Sequence, residues 1–335
     1  MSSPIISAAS AAASSHEPVR PRAQSLPRDV FQKLLRLNPW RWCFALAVDW
    51  ALVAMAIVAA GWIDRWYGYA GALLLIGRSQ HAIVVLGHEG AHRVISRRRR
   101  LNDWLTQVFC FWPMGTDMHT YRDFHFPHHR HLNTPIDPEM KYREMGAPGW
   151  DVPRARWQVG LRFAADLAGL GALEMYRIFR FTQPRTWRAA AGPLALHGAV
   201  LLACGLAGAW WIPALWWGAG FTSFAAVWRF RCWMEHLGTE DTHRLHLTPL
   251  QAWLFAPRNI WLHWEHHHWP GVPYWNLPAL RKLTPGEPVV RLGELFRYYE
   301  RCARIASGAP ILDDEGRPAV DLARRLEERP AWRIH

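Results

Sequence analysis

Residues 189–228 read AAAGPLALHGAVLLACGLAGAWWIPALWWGAGFTSFAAVW, a run of 40 residues without a charged side chain. A helix needs about 20 apolar residues to cross the hydrocarbon core of a bilayer, so this run is long enough for two helices. The segment WWIP at 210–213, near its middle, is suited to a turn. We therefore predict two membrane-spanning helices, over 189–209 and 212–233, joined as a hairpin.

A second apolar pair lies upstream, over 42–61 and 68–87, and is interrupted by Asp49, Arg78 and His81. Charge inside a bilayer is costly, and Asp49 and Arg78 would lie at comparable depth in antiparallel helices, so we predict that they pair. The alternative is that the helices tilt and each group reaches the interface separately. Together the two pairs predict an all-α integral membrane protein, with four transmembrane helices in two hairpins and a cytosolic helical cap.

The basic residues are distributed unevenly about these spans. The chain carries 39 Lys+Arg against 27 Asp+Glu, a formal charge of +12, although half of its residues are apolar. With four spans, 37 of the 39 basic residues lie on one side of the membrane. Because Lys and Arg are enriched in cytoplasmic loops, we predict cytoplasmic termini and a cytoplasmic active site, in a bacterial inner membrane. The run Arg97-Arg98-Arg99-Arg100 is expected to meet anionic lipid headgroups rather than nucleic acid.

Composition also divides the chain outside the spans. Residues 1–30 are rich in Ala, Ser and Pro and predict a flexible tail, residues 31–300 a membrane domain, and residues 301–335 a C-terminal cytosolic tail. The apolar segment 157–180 contains charged residues and is predicted to form interfacial helix. A small disulfide-stapled domain is excluded because the five Cys show no paired spacing, and the apolar content excludes a disordered chain.

Most of the 18 histidines are clustered in four places. Three are short motifs, HEGAH at 88–92, HFPHH at 125–129 and HWEHH at 263–267, and the fourth is His236. Residues three or four apart lie on one face of a helix, so the imidazoles of each motif can reach one metal. Under the predicted topology all four places emerge on the cytoplasmic surface of the membrane.

Nine of these histidines have spacings that are compatible with metal binding, which is too many for one tetrahedral ion and suits two metals. They are His88, His92, His125, His128, His129, His236, His263, His266 and His267. Imidazole binds Zn, Cu, Fe or Ni, so the ligand type alone does not identify the metal.

Further side chains near the motifs are placed to orient ring N–H groups, the usual task of residues just outside the ligands. These outer-sphere candidates are His81, Glu89, Asp137, Glu235 and Glu265. Structural roles are expected for His16, His119, His197, His243, His246 and His335, whereas His131 and His268 stay open.

The motifs and their surroundings resemble the membrane fatty acid desaturase and hydroxylase superfamily, whose mark is three histidine boxes of the forms HxxxH or HxxxxH, HxxHH and HxxHH. The resemblance includes RHLNTPIDPE at 130–139, MEHLG at 234–238 and NIWLHWEHHHWPGVPYWNLPALRKL at 259–283. It implies a four-helix transmembrane stem beneath a cytosolic cap that holds a non-haem di-iron centre. Such a centre activates O2 to attack an unactivated C–H bond.

The resemblance further implies that His236 is an iron ligand. The position four residues before it, often Asn in relatives, is Cys232, so a contact made by that Asn would be missing here. The chain contains no haem-domain element His-Pro-Gly-Gly, so no bound haem or flavin is expected. Electrons would come from a separate ferredoxin, or from a cytochrome with its reductase. The expected substrate is a lipid or acyl chain, carried as phospholipid, acyl-CoA or acyl carrier protein.

Several reactions are compatible with these boxes. Their spacing favours the desaturase branch, with O2 reduced to water, while fatty acid or alkane hydroxylation and carotenoid ketolation remain alternatives. HEGAH also satisfies the zinc-protease pattern HExxH, with Glu89 as general base, so an intramembrane metalloprotease is the alternative from another class. That enzyme would leave both HxxHH motifs unexplained. Beyond the metal centre, the sequence identifies no catalytic residue.

Overall fold

The computed structural model of the chain describes residues 26–134, 136–139, 141, 150, 155–236, 242–285 and 289–306. Most of them are helical. The helices are α1 Arg28–Leu34, α2 Pro39–Ile63, α3 Trp66–Ala91, α4 Arg99–Thr106, α5 Met118–His131, α6 Arg156–Leu167, α7 Ala172–Phe181, α8 Trp187–Leu206, α9 Trp211–Ala219, α10 Ala225–Glu235, α11 Pro249–Phe255, α12 His263–His268, α13 Leu277–Leu283 and α14 Leu292–Ala306.

The upstream apolar pair forms the hairpin of α2 and α3. Asn38 caps α2, because its Oδ1 accepts the N–H of Arg41 at 3.1 Å. The helix ends at Asp64, whose φ of 45° turns the chain directly into α3. The predicted helices 42–61 and 68–87 are therefore confirmed as helical segments, each extended at both ends.

The downstream pair differs from the prediction in its second member. Thr186 caps α8, which covers most of 189–209, but the region 212–233 is divided into α9, a π-helical turn at Gly220–Phe224, and α10. Among the described residues, three helical stretches are long and apolar enough to cross a membrane: they lie in Arg28–Ile63, Trp66–Ala91 and Trp187–Leu206. The fourth predicted span is not among them, because the π-helical turn divides it into two helices of 9 and 11 residues. The arrangement of four spans therefore stays a prediction.

Asp49 and Arg78 form the predicted ion pair, with 3.0 Å between Asp49 Oδ1 and Arg78 Nη1. The pairing is confirmed, and it has a third member that the sequence did not indicate. Arg258 Nη2 lies 2.5 Å from Asp49 Oδ2. Asp49 is fully buried, so one carboxylate holds two guanidinium groups, on α3 and on the segment before α12, against α2.

The predicted interfacial segment 157–180 contains helices α6 and α7. Their outer faces expose large apolar side chains, among them Trp157, Leu161 and Leu173, and the turn between them exposes Leu170. They are anchored by Arg229 of α10, which donates two hydrogen bonds to Asp166 at 2.7 and 3.0 Å and lies 2.8 Å from Glu174. A buried arginine thus holds an amphipathic layer of the kind expected at a membrane interface.

The prediction of an all-α fold needs one correction. Strands β1 Arg244–His246 and β2 Val289–Arg291 form a small parallel sheet, in which Arg244 pairs with Val289. Its contacts join segments more than 40 residues apart, which local periodicity does not reveal.

The structure also bears on the predicted tails. Helix α1 begins at Arg28, within the predicted first tail, and α14 continues to Ala306, within the predicted second. Residues 1–25 and 307–335 lie outside the described residues.

Two glycines of α3 give a matched test of how this helix packs against the π-helical turn at Gly220–Phe224. A Cβ at Gly77 would overlap the Ser223 side chain and lie 2.5 Å from the backbone nitrogen of Phe224, whereas one at Gly71 would meet nothing within 4 Å. We expect Gly77→Ala to destabilise the protein by about 1–3 kcal/mol through overpacking. Gly71→Ala should be neutral or slightly stabilising, because Ala favours helix. Thermal unfolding of both variants in one detergent measures the difference, and equal midpoints would contradict the packing.

Candidate metal centre

The three histidine boxes lie on separate elements that are tied together by buried polar contacts. His88 lies near the end of α3, and His92 is the C-cap of that helix. Arg122 of α5 donates to the last carbonyls of α3, from Nε to Ala91 O at 2.9 Å and from Nη2 to Gly90 O at 3.1 Å. These bonds satisfy carbonyls that a helix end leaves without partners, and they hold the second box against the first.

All nine predicted ligand histidines come together, in two adjacent groups. The candidate ligand atoms of the first group lie within 4.8 Å of one another and belong to His88, His92, His125, His129 and His266. The second contains His128, His236 and His267 within the same limit. His263 joins it, with 3.0 Å between its Nε2 and that of His267. The ring centroids of His129 and His267 are 4.1 Å apart, so the two groups touch.

The separations between ring nitrogens are those of ligands to a common ion. His125 Nε2 lies 2.8 Å from His92 Nε2 and 2.9 Å from His129 Nε2. An imidazole nitrogen has one proton or one lone pair in the ring plane, so His125 Nε2 cannot hydrogen-bond to both. Two nitrogens that are each about 2.1 Å from one metal lie about 3 Å apart at a right angle. The first group therefore has the geometry of a cation site.

His88 provides a second, independent indication of a metal. The side chain is buried, and within the described residues neither of its ring nitrogens has a hydrogen-bond partner. Its ring centroid lies 4.8 Å from that of His92, 4.6 Å from His125 and 4.4 Å from His266. Burying an unpaired polar ring is costly, and a bound metal would satisfy it. The residues thus fit a metal centre.

The protonation state of the histidines is the one that metal binding requires. Burial lowers the pKa of His92 to about 3 and that of His129 to about 2. Burial also holds the pKa of His125, His266 and His267 well below its usual value, and neighbouring imidazoles lower it further. These rings are therefore neutral at physiological pH, which is the form that binds a metal.

Asp137 makes the contact expected of an outer-sphere carboxylate. Nδ1 of His128 donates to it at 3.0 and 3.1 Å from the two carboxylate oxygens. Asp137 is fully buried and also accepts the backbone N–H groups of Asn133 and Glu139, both at 2.9 Å. The loop after α5 thereby positions a carboxylate that fixes the His128 tautomer and leaves Nε2 for a metal.

Glu139 is a member of the site that sequence reasoning missed. Its Oε2 lies 3.1 Å from Nδ1 of His128 and 3.5 Å from Nε2 of His236, and the side chain is buried. The one signal was its place in the segment RHLNTPIDPE, two residues after Asp137. Its charge would partly offset that of a cation in this buried region.

Glu235 and His81 belong to a second polar chain. Oε1 of Glu235 accepts from Arg231 Nε at 2.5 Å and lies 3.5 Å from Nδ1 of His263. Burial raises the pKa of Glu235 to about 7, although the Arg231 charge opposes this. Nη1 of Arg231 lies 3.5 Å from His81 Nε2. His81 is therefore connected to the centre through Arg231 and Glu235.

Glu265 and Glu89, the other two outer-sphere candidates, were expected to orient histidine rings, but they contact other groups. Glu265 pairs with Arg244 at 2.9 Å and with Arg281 at 2.8 Å. Glu89 accepts the backbone N–H of Tyr274 at 2.8 Å. Both carboxylates fix segments of the chain around the boxes, a role that depends on residues far away in sequence.

The histidines that were assigned structural roles have backbone partners where the structure describes a contact. His197 and His243 each contact a backbone carbonyl oxygen through Nε2, at 3.1 and 2.8 Å. His268, which the sequence left open, contacts a carbonyl through Nδ1 at 2.8 Å. His16 and His335 lie outside the described residues.

Cys232 occupies the position that is often Asn in relatives of the superfamily. It is buried in a small apolar cluster with Trp150 and Ile178. This surrounding is suited to a thiol, which behaves as a small apolar group when buried.

The contact between Asp137 and His128 gives a direct prediction. Asp137→Asn keeps the shape of the side chain but removes the carboxylate that orients the ring, so we expect metal affinity to fall by about 10–100-fold. Asp123→Asn is the matched control, because Asp123 is exposed on α5, the helix that carries His128. Metal content after dialysis against graded chelator measures the effect. Equal retention by both variants would refute this role of Asp137.

Long apolar helices and a buried set of histidines suited to metal binding define a helical protein of the membrane-bound metalloenzyme type. The chain matches the family model "Fatty acid desaturase" over residues 64–289, and it belongs to the fatty acid desaturase family.

Individual relatives agree with this family. A dihydrorhizobitoxine desaturase of Bradyrhizobium elkanii is 27% identical over 94% of this chain and 95% of its own length. A zeaxanthin 4-ketolase of Chlamydomonas reinhardtii is 24% identical over 74% of this chain and 48% of its own length. An sn-1 oleoyl-lipid 12-desaturase of Anabaena variabilis is 28% identical over 35% of this chain and 34% of its own length. The chain is thus an oxidoreductase of the fatty acid desaturase family.

Proposed function

We propose that this protein introduces a double bond into the acyl chain of a lipid, in an O2-dependent reaction at a centre of two iron ions. The observation that carries the proposal is the convergence of nine histidines from four segments into two adjacent groups of ring nitrogens. Bound iron would supply the activation of O2 that removes hydrogen from an unactivated C–H bond, with O2 reduced to water.

The two groups of histidines would each hold one ion, and the rest of the chain keeps them in place. Asp137 holds the tautomer of His128, and Arg122 fixes the second box to the end of α3. The Tyr121 ring stacks on His125 at 5.0 Å and meets Phe111 at 5.2 Å. This aromatic layer would exclude water from the reacting region.

Desaturation is favoured over ketolation and hydroxylation by the relatives. The dihydrorhizobitoxine desaturase is similar to nearly the whole of this chain, whereas the zeaxanthin 4-ketolase matches over 74% of it. A ketolase or hydroxylase built on the same histidines remains the alternative reaction.

An intramembrane zinc protease has less support. Its general base would be Glu89, whose carboxylate already accepts the Tyr274 N–H. The protease would also use only part of the histidine set, while all three boxes meet in one place.

The partners and location follow from the same proposal. The substrate would reach the centre from a bilayer, as a phospholipid, an acyl-CoA or an acyl carrier protein. Electrons would come from a separate ferredoxin, or from a cytochrome with its reductase. Four spans, with the termini and the metal centre on the cytoplasmic side of a bacterial inner membrane, would place the basic residues where positive charge is enriched.

Metal analysis and lipid profiling together test the proposal. Detergent-purified protein should contain close to two irons per chain, and a host that expresses it should gain an unsaturated acyl species by mass spectrometry. A single zinc with peptide cleavage would support the protease instead. A product that has gained an oxygen atom would identify a ketolase or hydroxylase.

A further inference from the structure

Helix α10 carries two arginines, Arg229 and Arg231, within the predicted fourth span. A charged residue inside a long apolar segment is costly, so it is expected to have a partner and a function. Arg229 is buried and pairs with Asp166 and Glu174 of the interfacial layer. Arg231 is nearly buried and pairs instead with Glu235 of its own helix, with 2.5 Å between Nε and Oε1. The two arginines therefore contact different parts of the molecule.

The carboxylate of Glu235 lies between Arg231 and the second group of histidines. Its Oε1, which accepts from Arg231 Nε, also lies 3.5 Å from Nδ1 of His263. The Glu235 and His263 side chains are both buried. On the other side of the ring, Nε2 of His263 lies 3.0 Å from Nε2 of His267. A row of contacts thus connects the guanidinium group, through the carboxylate, to a candidate ligand nitrogen.

The Nδ1 atom of His263 has no hydrogen-bond partner within the described part of the chain. A neutral imidazole carries one N–H, and this N–H lies on Nδ1 when Nε2 binds a metal. A buried N–H without an acceptor is costly. Oε1 of Glu235, at 3.5 Å, is slightly beyond the usual length of a hydrogen bond, so a small approach of the two side chains would supply that acceptor.

The two carboxylates beside the second group are held in different ways. Asp137, beside His128, accepts two backbone N–H groups, which fix its position independently of any arginine. For Glu235, the hydrogen bond that the structure describes within residues 26–306 comes from the Arg231 side chain. The orientation of the Glu235 carboxylate therefore depends on Arg231.

We infer that Arg231 is a positioning residue of the metal centre: it holds Glu235 as the acceptor for His263 and thereby strengthens metal binding by the second group of histidines. The inference rests on the metal centre of the proposed function and deepens it, but it does not depend on which reaction the centre performs. It predicts that the two metal ions can be weakened separately.

The direction of the effect distinguishes positioning from direct electrostatics. The guanidinium group of Arg231 is positive and repels a bound cation, so a purely electrostatic role predicts tighter metal binding when the group is removed. Positioning predicts weaker binding, because loss of an outer-sphere contact typically lowers metal affinity about 10–100-fold. The two roles therefore predict changes of opposite sign.

Retention of iron by the full-length protein tests the inference. Iron-loaded protein is dialysed without O2 against graded chelator, and the iron that remains per chain is measured. Arg231→Gln and Glu235→Gln should each hold one iron about as tightly as the wild type and the other about 10–100-fold more weakly. Arg231→Lys keeps a cation beside the carboxylate and should recover much of this loss. Unchanged or tighter binding in Arg231→Gln, or an equal loss of both irons, would overturn the inference.

Arg229→Gln is the matched control for loss of a buried ion pair. It removes an arginine from the same helix, but the partners of that arginine are Asp166 and Glu174 rather than Glu235. The variant should have a lower thermal unfolding midpoint and still hold both irons as the wild type does. Selective weakening of one iron in this variant would show that destabilisation of α10 is sufficient, and would refute the positioning role.

The double variant Arg231→Gln/Glu235→Gln tests whether Arg231 acts through Glu235. Without the carboxylate Arg231 has nothing to position, so the second substitution should weaken iron binding no further than Glu235→Gln alone. Because this variant removes both charges of the pair, it keeps the test valid if Arg231→Gln alone does not fold. A further loss of iron in the double variant would overturn the inference.

Iron retention also separates this inference from the proposed reaction. Wild-type protein that holds two irons and shows the expected effects of the variants, but produces no unsaturated lipid, would refute desaturation alone. Two irons and desaturation with unchanged retention in Arg231→Gln would refute the role of Arg231 alone. Wild-type protein that holds fewer than two ions would refute the two-metal centre and this inference with it.

Discussion

Replacement of His266 by Ala is expected to abolish iron binding and turnover together. The side chain is fully buried, its Nε2 lies 3.2 Å from that of His129, and its ring centroid lies 4.4 Å from that of His88. Ala removes one candidate ligand of the first group and leaves space in its place. The loss of metal affinity should be larger than the loss of about 10–100-fold that is typical when a residue just outside the ligands is replaced. Iron per chain and O2-dependent turnover are measured on the same preparation.

His128→Ala tests the second group in the same way. Here the removed ring is held by Asp137, so the variant also takes one donor from a buried carboxylate, which keeps the backbone N–H groups of Asn133 and Glu139. We expect iron content to fall below one-half of the wild-type value, and activity to be lost with it.

The matched control for both substitutions is His268→Ala. His268 lies next to the third box, but its ring stacks on Trp264 at 4.1 Å and its Nδ1 contacts a backbone carbonyl oxygen. This variant should keep its iron and most of its activity. Full iron and turnover in His266→Ala, or equal losses in His268→Ala, would contradict the assignment of ligands.

Asp49→Asn should produce the largest loss of stability among the variants described here. Asn removes the one negative charge between the buried Arg78 and the partly buried Arg258, and both guanidinium groups remain in place. Removing one partner of a buried ion pair typically costs about 3–5 kcal/mol, because the other charge is left uncompensated. The unfolding midpoint in detergent should fall accordingly.

Asp29→Asn provides the control for this prediction. Asp29 pairs with Lys33 at 3.7 Å, and both side chains are at least two-thirds exposed. Water screens such a pair, so no measurable change in the unfolding midpoint is expected. Similar midpoints for the Asp49 and Asp29 variants would show that the buried ion cluster contributes little to stability.

The buried ion cluster of Asp49, Arg78 and Arg258 was predictable only in part from the sequence. Asp49 and Arg78 were predicted to pair because both interrupt apolar helices that a short turn joins, so their relative depth follows from helix length. Arg258 is 209 residues from Asp49 along the chain, and no periodicity relates the two. Its membership depends on how the segment before α12 packs against α2.

The candidate metal centre was likewise predictable only in part from the sequence. The nine histidines were predicted because spacings of three and four residues put side chains on one helical face. Neither the separation into two groups nor the contact of Glu139 with His128 follows from spacing, because both need the distances between α3, α5, α10 and α12. Glu265 carried the same sequence signal as Asp137, yet it pairs with two arginines.

By itself, the sequence determined what depends on local order along the chain. This includes the apolar runs long enough to cross a membrane, the histidine boxes, and the family to which their pattern belongs. Only the tertiary structure decided which carboxylate supports which ring, where the fourth predicted span is divided by a π-helical turn, and that Arg258 shares the buried carboxylate of Asp49 with Arg78. The physical reason is that helix length and periodicity are properties of neighbouring residues, whereas burial, charge balance and ligand geometry depend on residues that packing brings together from distant parts of the chain.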